Sequence, residues 1–207
     1  MDAHDRFHQL LKRDFVPILR AEEFKGSGAT FRRIRDDVIH LLNFQGHRYG
    51  GKCCVNLGLH YAFMPTTGIG AVPDTKKLRE YDCAFRDRLH EANESDHWWA
   101  YGATDAESEA SVVNLIDMYR RRGDSFFKKF EPFPDVFQMI TPAELDAGDL
   151  SKLPTEMTQL QASLVVARIM NHLGRNEISR QFAVVGLRHI GRAVGLKPEL
   201  EHLRDAR

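Results

Sequence analysis

The feature that most constrains the fold is a stretch of strict alternation between residues 53 and 61. Apolar side chains recur there at every second position, which is the period of a β-strand. A strand needs neighbours for its backbone hydrogen bonds, so the chain is expected to contain a sheet. One face of the strand would carry Cys53, Val55, Leu57, Leu59 and Tyr61, and the other Cys54, Asn56, Gly58 and His60.

The segment just before this strand predicts a β-hairpin. Residues 30–35 and 38–45 contain several β-branched and aromatic side chains and flank an Asp-Asp pair that suits a tight turn. A two-residue turn would place Arg33 opposite His40 and Phe31 opposite Leu42. Apolar side chains fall on both faces of this hairpin, so the sheet is expected to be covered on both sides.

Helical patterns precede and follow the strands. Residues 7–19 carry apolar side chains at helical spacing, and Pro17 is expected to kink or divide that helix. Residues 78–96 fit either a helix or a broken strand, and residues 97–101 a short last strand. Beyond them, capping boxes begin at Thr104 and Thr141. Helices in this part are expected to end at Gly123, Gly174 and Gly195.

This order predicts an α+β fold with an N-terminal helix, an antiparallel sheet of about four strands and a C-terminal helical layer. We place a soft boundary near Ala103. Residues 1–103 would hold the first helix and the sheet, and residues 104–207 the helical region. We expect the helical region to pack on the sheet, so that the two parts form one continuous domain.

The composition argues against partners that are recognised by net charge. The 29 basic residues are balanced by 29 acidic ones, which leaves no overall field to attract nucleic acid or an anionic membrane. The three cysteines form no CxxC pair, which favours a reducing compartment. The first residues lack the apolar run of a signal peptide, and no stretch is apolar for the length of a bilayer. We therefore expect a cytoplasmic protein that does not engage membranes.

The sequence carries no recognisable catalytic or cofactor-binding motif, and we predict no catalytic residue, cofactor or metal. His4 and His8 would share one helix face, as in some zinc sites, but two solvated histidines are the favoured interpretation. A denser polar cluster could bind a divalent ion or perform acid–base chemistry, and is interpreted instead as an exposed loop. It consists of His90, Glu91, Glu94, Asp96 and His97.

Arginines and tryptophans offer a different kind of site. Trp98 and Trp99 could combine with arginines into a cationic, aromatic surface that stacks bases and contacts phosphates. The arginines concerned are Arg32, Arg33, Arg35, Arg86, Arg88, Arg120, Arg121 and Arg122. Three of them already suit the C-terminal end of a helix, and tryptophans beside a strand usually belong to the core. Nucleic acid is therefore a disfavoured partner.

The first sixty residues resemble the domain-of-unknown-function family 4304. The resemblance rests on Pro17-Ile18-Leu19-Arg20 before Phe24-Lys25, on Thr30-Phe31-Arg32-Arg33, on Ile39-His40-Leu41-Leu42-Asn43-Phe44-Gln45 and on Val55-Asn56-Leu57-Gly58. Glu23 stands where the family usually has glycine. The resemblance is strong over about a third of the chain, looser to Tyr101 and weak in the helical tail. It implies an α+β fold in bacterial proteins, without assigning catalytic residues.

Asn43, Gln45 and Asn56 are the polar members of this pattern. They could line a recognition groove on the sheet, although amides that satisfy neighbouring polar groups are the favoured interpretation. We expect a non-catalytic protein-binding protein of bacterial type, such as a toxin-neutralising immunity protein or an adaptor. The candidate binding residues are Arg33, His40, Asn43, Gln45, Asn56, His60, Trp98 and Trp99.

The alternative is an enzyme or nucleic-acid-binding factor in which histidines act with nearby carboxylates and arginines. The histidines considered for it are His40, His60, His90 and His97. Arg33 beside His40 could hold a small anion. Whether the histidines converge in one pocket or scatter is the feature that separates the two hypotheses.

Overall fold

A computed structural model of the protein describes residues 2–66, 71–94 and 96–206. An N-terminal helix leads into an antiparallel sheet, and helices follow the sheet, so the predicted α+β fold is confirmed. The chain divides into two compact units, Met1–Phe127 and Lys128–Arg207. The predicted packing of residues 1–103 and 104–207 as one continuous domain stays a prediction. In the described part, none of the helices has the length and apolar content needed to cross a membrane.

The N-terminal helix is interrupted in front of Pro17, as predicted. It begins as α1 (Ala3–Leu10), widens into a π-helical stretch (Leu11–Phe15) and continues as α2 (Val16–Ala21). Proline lacks a backbone N–H and its ring disturbs the preceding turn. The wider turn accommodates this change, and the Val16 N–H donates to the carbonyl of Leu11.

Six antiparallel strands form the sheet of the described residues. The order is β1-β2-β3-β4-β5, and β6 pairs with β4 on the same edge as β5 because β3 occupies the other edge. The strands are β1 (Lys25–Ser27), β2 (Thr30–Arg35), β3 (Val38–Gly46), β4 (Lys52–Tyr61), β5 (Phe85–Arg88) and β6 (Trp99–Ala100).

The predicted hairpin register is confirmed. Arg33 lies opposite His40 and Phe31 opposite Leu42 in the pairing of β2 with β3. The alternation read between residues 53 and 61 also holds, because that whole stretch lies in β4. Of the two interpretations of residues 78–96, the broken strand is correct: a 3₁₀ turn (Glu80–Asp82) precedes β5.

One face of the sheet, here called the Phe44 face, is covered by helices of the first unit. The ring of Phe15 lies 5.8 Å from that of Phe44 and 5.0 Å from that of Tyr119. The ring of Phe127 lies 4.6 Å from the imidazole of His40. These aromatic contacts exclude water from this side of the sheet and form the core of the unit.

The opposite face, here called the Asn56 face, is covered over only part of its area. Ile39 and Leu41 of β3 form a buried cluster with Leu78 and Cys83. Gly58 of β4 permits this close approach, since a Cβ atom there would lie 2.7 Å from the Cys83 sulfur. The expected cover on both sides is therefore confirmed, and it comes on this face from the segment before β5.

The helix after the sheet begins where its capping box predicts. Thr104 and Glu107 exchange side-chain and backbone hydrogen bonds, both of 3.2 Å, at the start of α3 (Asp105–Met118). The prediction that this helix ends at Gly123 is wrong. A π-helical stretch (Tyr119–Gly123) continues into α4 (Asp124–Lys128). Glycine serves packing there, because a Cβ at residue 123 would lie 2.4 Å from the Tyr119 ring.

The second unit is helical. The capping box at Thr141 and the helix end at Gly174 are confirmed. The predicted end at Gly195 is wrong, since the helix before it stops at Arg188 and Pro198 lies in the first turn of another. Its helices are α5 (Asp135–Gln138), α6 (Pro142–Asp146), α7 (Gln159–His172), α8 (Asn176–Arg188) and α9 (Lys197–Asp205), with a 3₁₀ turn at Val194–Leu196.

Candidate functional site

A row of polar side chains crosses the Asn56 face beside the apolar cluster of Ile39 and Leu41. Antiparallel pairing places Asn43 of β3, Asn56 of β4 and Arg88 of β5 side by side. The Asn56 amide donates to the side-chain oxygen of Gln45 at 2.9 Å and lies 3.5 Å from that of Asn43. Arg88 donates from Nε to the Asn56 oxygen at 3.1 Å. The three amides predicted from the sequence therefore form one network.

Arg88 carries this network from the sheet to Asp96 and Trp98. Its Nη1 donates to the Asp96 carboxylate at 2.9 Å, and the indole Nε1–H of Trp98 donates to the same carboxylate at 2.7 Å. Burial raises the pKa of Asp96, but the hydrogen bonds from Arg88 and Trp98 outweigh it, so the pKa lies below its usual value. Asp96 is consequently a carboxylate that fixes both neighbours at neutral pH.

Trp98 is surrounded by cations and a second aromatic ring. The guanidinium of Arg88 lies 5.5 Å and the ammonium of Lys52 5.2 Å from its ring centroid, within reach of cation–π attraction. The imidazole of His47 meets the indole edge to face at 4.9 Å. We call this connected group the Trp98 surface; it comprises Gln45, His47, Lys52, Asn56, Arg88, Asp96 and Trp98.

The two adjacent tryptophans have different environments. Trp98 is half-buried, whereas Trp99 is 2% exposed and donates from its indole to Asn114 at 2.9 Å. Trp99 lies in β6, opposite Cys53, on the Phe44 face of the sheet. Trp99 therefore belongs to the core, and Trp98 can contact a ligand.

Arg33 and His40 lie on the Phe44 face, away from the Trp98 surface. The Arg33 side chain donates from Nε to His40 Nδ1 at 2.8 Å, and its guanidinium lies over the rings of Phe24 and Phe127. Arg33 is 6% and His40 2% exposed. Within the described residues, Nε2 of His40 has no hydrogen-bond partner. The prediction that this pair holds an anion stays a prediction.

The protonation state of His40 follows from these neighbours. Burial lowers the pKa of His40 to about 3, and the charges of Arg33 and Arg35 act in the same direction. Because Nδ1 accepts from Arg33, the proton of the neutral ring resides on Nε2. His40 is therefore a neutral acceptor at physiological pH.

His60 shares the Asn56 face but has a structural environment. Its Nε2 lies 3.0 Å from the Met64 carbonyl, and its Nδ1 accepts the Ala84 N–H at 3.1 Å. Both ring nitrogens therefore hold backbone segments in place. His60 ties the end of β4 to the segment that precedes β5.

The polar cluster of residues 90–97 is divided among separate pairs. Glu91 receives two hydrogen bonds from Arg121, at 2.6 and 3.1 Å, and the ring of His97 lies 2.8 Å from Glu94. Nδ1 of His90 lies 2.6 Å from the Glu91 carbonyl. Asp96 belongs to the Trp98 surface. The four histidines of the enzyme hypothesis thus occupy different local environments.

His4 and His8 are neighbours on the first helix, with ring centroids 4.2 Å apart. Burial lowers the pKa of His8, and the charge of His4 adds to that effect. Ligand atoms of Asp2, His4 and Asp5 lie within 4.8 Å of one another, but all three residues are exposed. Asp2 already caps the helix by accepting the Asp5 N–H. This arrangement is that of a solvated helix start.

Sequence reasoning missed the part that Lys52 and His47 play in the Trp98 surface. From the sequence alone, Arg88 and Asp96 fall in two unconnected groups. The connection depends on β5, whose register sets Arg88 opposite Asn56. Interpreting residues 85–88 as a strand would have supplied that signal, since Arg86 and Arg88 then point to the same face.

Comparison with known proteins gives a family match. Residues 15–129, more than half of the 207, match the family model of a domain of unknown function, DUF4304. No curated protein and no solved structure matches the chain. The family match confirms the resemblance seen in the sequence and extends it through α4, so the chain belongs to the domain-of-unknown-function family 4304.

Proposed function

We propose that this chain is a non-catalytic protein-binding protein of bacterial type, a toxin-neutralising immunity protein or an adaptor, and that it binds its partner through the Trp98 surface. The observation that carries the proposal is the fixed, half-buried indole of Trp98 between Arg88 and Lys52. Tryptophan and arginine are the residue types that most often dominate the energetics of protein interfaces.

The surface is organised before any partner binds. Asp96 orients the indole and the guanidinium together, and Asn56, on a central strand, orients Arg88 from the other side. Side chains fixed in this way lose little conformational entropy on binding, so more of the contact energy appears as affinity. A protein partner with an aromatic or carboxylate group would complement the accessible part of the indole and the cations beside it.

The distribution of the histidines supports binding over catalysis. His40 is buried on the Phe44 face beside Arg33, while His60 holds two backbone segments on the Asn56 face. An acid–base site needs such groups to converge on one substrate position. The polar groups that do converge in the Trp98 surface are amides, cations, the imidazole of His47 and one carboxylate that is already hydrogen-bonded.

The experiment compares binding by matched variants. The tagged full-length chain is used to isolate a stoichiometric partner from its host, and both proteins are then purified and titrated by calorimetry. Trp98→Ala should weaken binding by on the order of 30-fold or more, the loss that defines an interface hot spot. Val113→Ala, which truncates an exposed side chain on α3, is the control and should bind as the wild type does.

Equal affinities of the Trp98→Ala variant and the wild type would overturn the assignment of this surface. Failure to isolate any protein partner, combined with turnover of a substrate that depends on the histidines, would overturn the functional class. Circular dichroism and urea unfolding check that each variant is folded. We expect Trp98→Ala to fold, because Trp98 is only half-buried.

A second candidate function, binding of single-stranded nucleic acid, is favoured by one observation. Next to His47, the guanidinium of Arg48 lies 4.4 Å from the ring centroid of Tyr49, which is 76% exposed. Exposed aromatic rings beside cations can stack bases and contact phosphates. Titration of the protein into a fluorescent single-stranded oligonucleotide tests this candidate. An affinity that falls steeply with added salt would support it.

A further inference from the structure

A separate pocket lies at the edge of the sheet where β1 pairs with β2. Its volume is about 490 Å³, within the range of small-molecule sites. Residues that line it include Glu23, Lys25, Arg32, Ile34, Arg35 and Lys76. None of these residues belongs to the Trp98 surface, so the pocket is a separate site.

The charge of this lining is strongly one-sided. It contains four cations and one carboxylate, although the whole chain has as many acidic as basic residues. Gathering cations in a concave site costs electrostatic repulsion and raises the local concentration of anions. The lining therefore favours an anionic ligand.

The two arginines of the pocket are held by the protein. Arg32 donates from Nε to the Leu78 carbonyl at 2.9 Å, and Arg35 donates from Nε to Glu23 at 2.9 Å. These bonds fix both guanidinium groups at the rim of the pocket. Only the Arg35 charge is neutralised in this way, because a carbonyl carries no net charge.

The pocket's two lysines, Lys25 and Lys76, differ from the arginines in their contacts. Across residues 2–66, 71–94 and 96–206, no hydrogen bond or ion pair is formed by the ammonium of Lys25 or Lys76. Asp74 accepts the backbone N–H of Lys76 at 3.0 Å and pairs with the ammonium of Lys77 at 3.8 Å. Two exposed cations thus line a pocket whose apolar wall is Ile34, a residue that is 46% exposed.

We propose that this pocket binds the doubly negative oxyanion group of a small molecule, a phosphate monoester or a dicarboxylate. Lys25 and Lys76 supply the two compensating charges, and Arg32 adds a third positive charge at the rim. Ile34 and the aliphatic parts of the lysines contact the carbon skeleton of the ligand. Glu23 opposes binding, because its carboxylate is the negative charge of the lining.

The test is a calorimetric titration of the full-length chain, at low ionic strength, with inorganic phosphate and separately with succinate. Saturable 1:1 binding of phosphate identifies a phosphate ligand, and preferential binding of succinate identifies a dicarboxylate. Lys25→Met and Lys76→Met should each weaken binding by on the order of tenfold, and Glu23→Gln should strengthen it. Lys12→Met removes an exposed lysine elsewhere and serves as the matched control.

Absence of saturable binding of both anions would overturn the proposal. Wild-type affinity in the Lys25→Met/Lys76→Met double variant, or weaker binding after Glu23→Gln, would overturn it as well. Amide shifts in ¹⁵N spectra of the wild-type protein give an independent readout that needs no variant, and phosphate or succinate should move the signals of Gly26 and Ile34. Failure here leaves the Trp98 surface unaffected, since the two sites share no residue.

Discussion

Glu23 shows how one residue can occupy a conformation that suits glycine better. It follows the first helix in the left-handed region, with φ of 68°. Its N–H donates to the Arg20 carbonyl at 3.0 Å, and the N–H of Phe24 donates to the Leu19 carbonyl at 2.9 Å. This pattern is a Schellman motif, whose left-handed position is usually glycine. The glycine that the resemblance places at this position would therefore have a backbone cause.

Replacing Glu23 by glycine should relieve this backbone strain. Glu23→Ala serves as the comparison, because both variants lose the carboxylate that pairs with Arg35. The left-handed conformation costs a non-glycine residue roughly 1–2 kcal/mol, partly offset by the larger entropy of glycine in the unfolded chain. We expect the glycine variant to unfold at a higher urea concentration than the alanine variant. The reverse order of the two midpoints would contradict this explanation.

His40 should make the stability of the protein depend on pH. In the unfolded chain its pKa is near 6.5, whereas in the folded protein burial, with the charges of Arg33 and Arg35, lowers it to about 3. At a pH between these two pKa values, His40 is protonated in the unfolded state and neutral in the folded state. The free energy of unfolding therefore falls as the pH falls through this window, by about 2 kcal/mol from pH 7 to pH 5.

The variant His40→Asn isolates this contribution. Asparagine can still accept from Arg33 near the position of Nδ1, but it does not titrate. Urea unfolding of both proteins at pH 7 and pH 5 should show a smaller loss of stability on acidification in the variant. An unchanged loss would mean that another group causes the pH dependence. The comparison rests on the pH difference, because the smaller side chain lowers stability at both pH values.

At the scale of elements, Gly58 allows the segment before β5 to pack closely on β4, because it has no side chain. A methyl group in Gly58→Ala would lie 2.7 Å from the Cys83 sulfur and 3.2 Å from its Cβ. Overpacking of this kind costs about 1–3 kcal/mol. Urea unfolding of Gly58→Ala should show this loss of stability. In Gly58→Ala/Cys83→Ala, where the sulfur is removed, the loss should be smaller than the sum of the losses in the two single variants. Additive losses would place the cost of the methyl group elsewhere.

Elements whose pattern is local were predictable, and those set by distant contacts were not. The hairpin register followed from the Asp36-Asp37 turn and period-two alternation. Helix starts followed from capping boxes, which need only four consecutive residues. The end at Gly123 failed because that glycine makes room for the Tyr119 ring, and ring packing leaves no mark in the local sequence.

In the candidate site too, some residues were predictable from the local sequence and others were not. The family-like pattern indicated Asn43, Gln45 and Asn56, and they do form one network. Lys52 and Trp98 approach one another only because β6 pairs with β4. Such a contact depends on strand order, which the sequence pattern of one short strand does not specify. Lys25 and Lys76, which line the pocket at the β1–β2 edge, are likewise brought together by the fold.

At the scale of the whole molecule, the family match lies almost entirely within the first unit and ends close to the end of that unit. The match ends at residue 129 and the unit at Phe127. Both the Trp98 surface and the pocket at the β1–β2 edge lie inside this unit. The features that we propose to bind ligands therefore belong to the part of the chain that defines the family.

This coincidence predicts that residues 1–129 fold without the rest of the chain. The sheet is covered within the first unit, by Phe15, Tyr119 and Phe127 on the Phe44 face. A fragment of residues 1–129 should therefore unfold in one cooperative urea transition and keep a near-ultraviolet circular dichroism signal. A fragment of residues 1–103 is the matched control: it lacks α3, Tyr119 and Phe127, exposes the rings they cover, and should not fold. If both fragments fail to show a cooperative transition, the alternative prediction of one continuous domain through residue 207 gains support, because the sheet would then need the second unit for its stability.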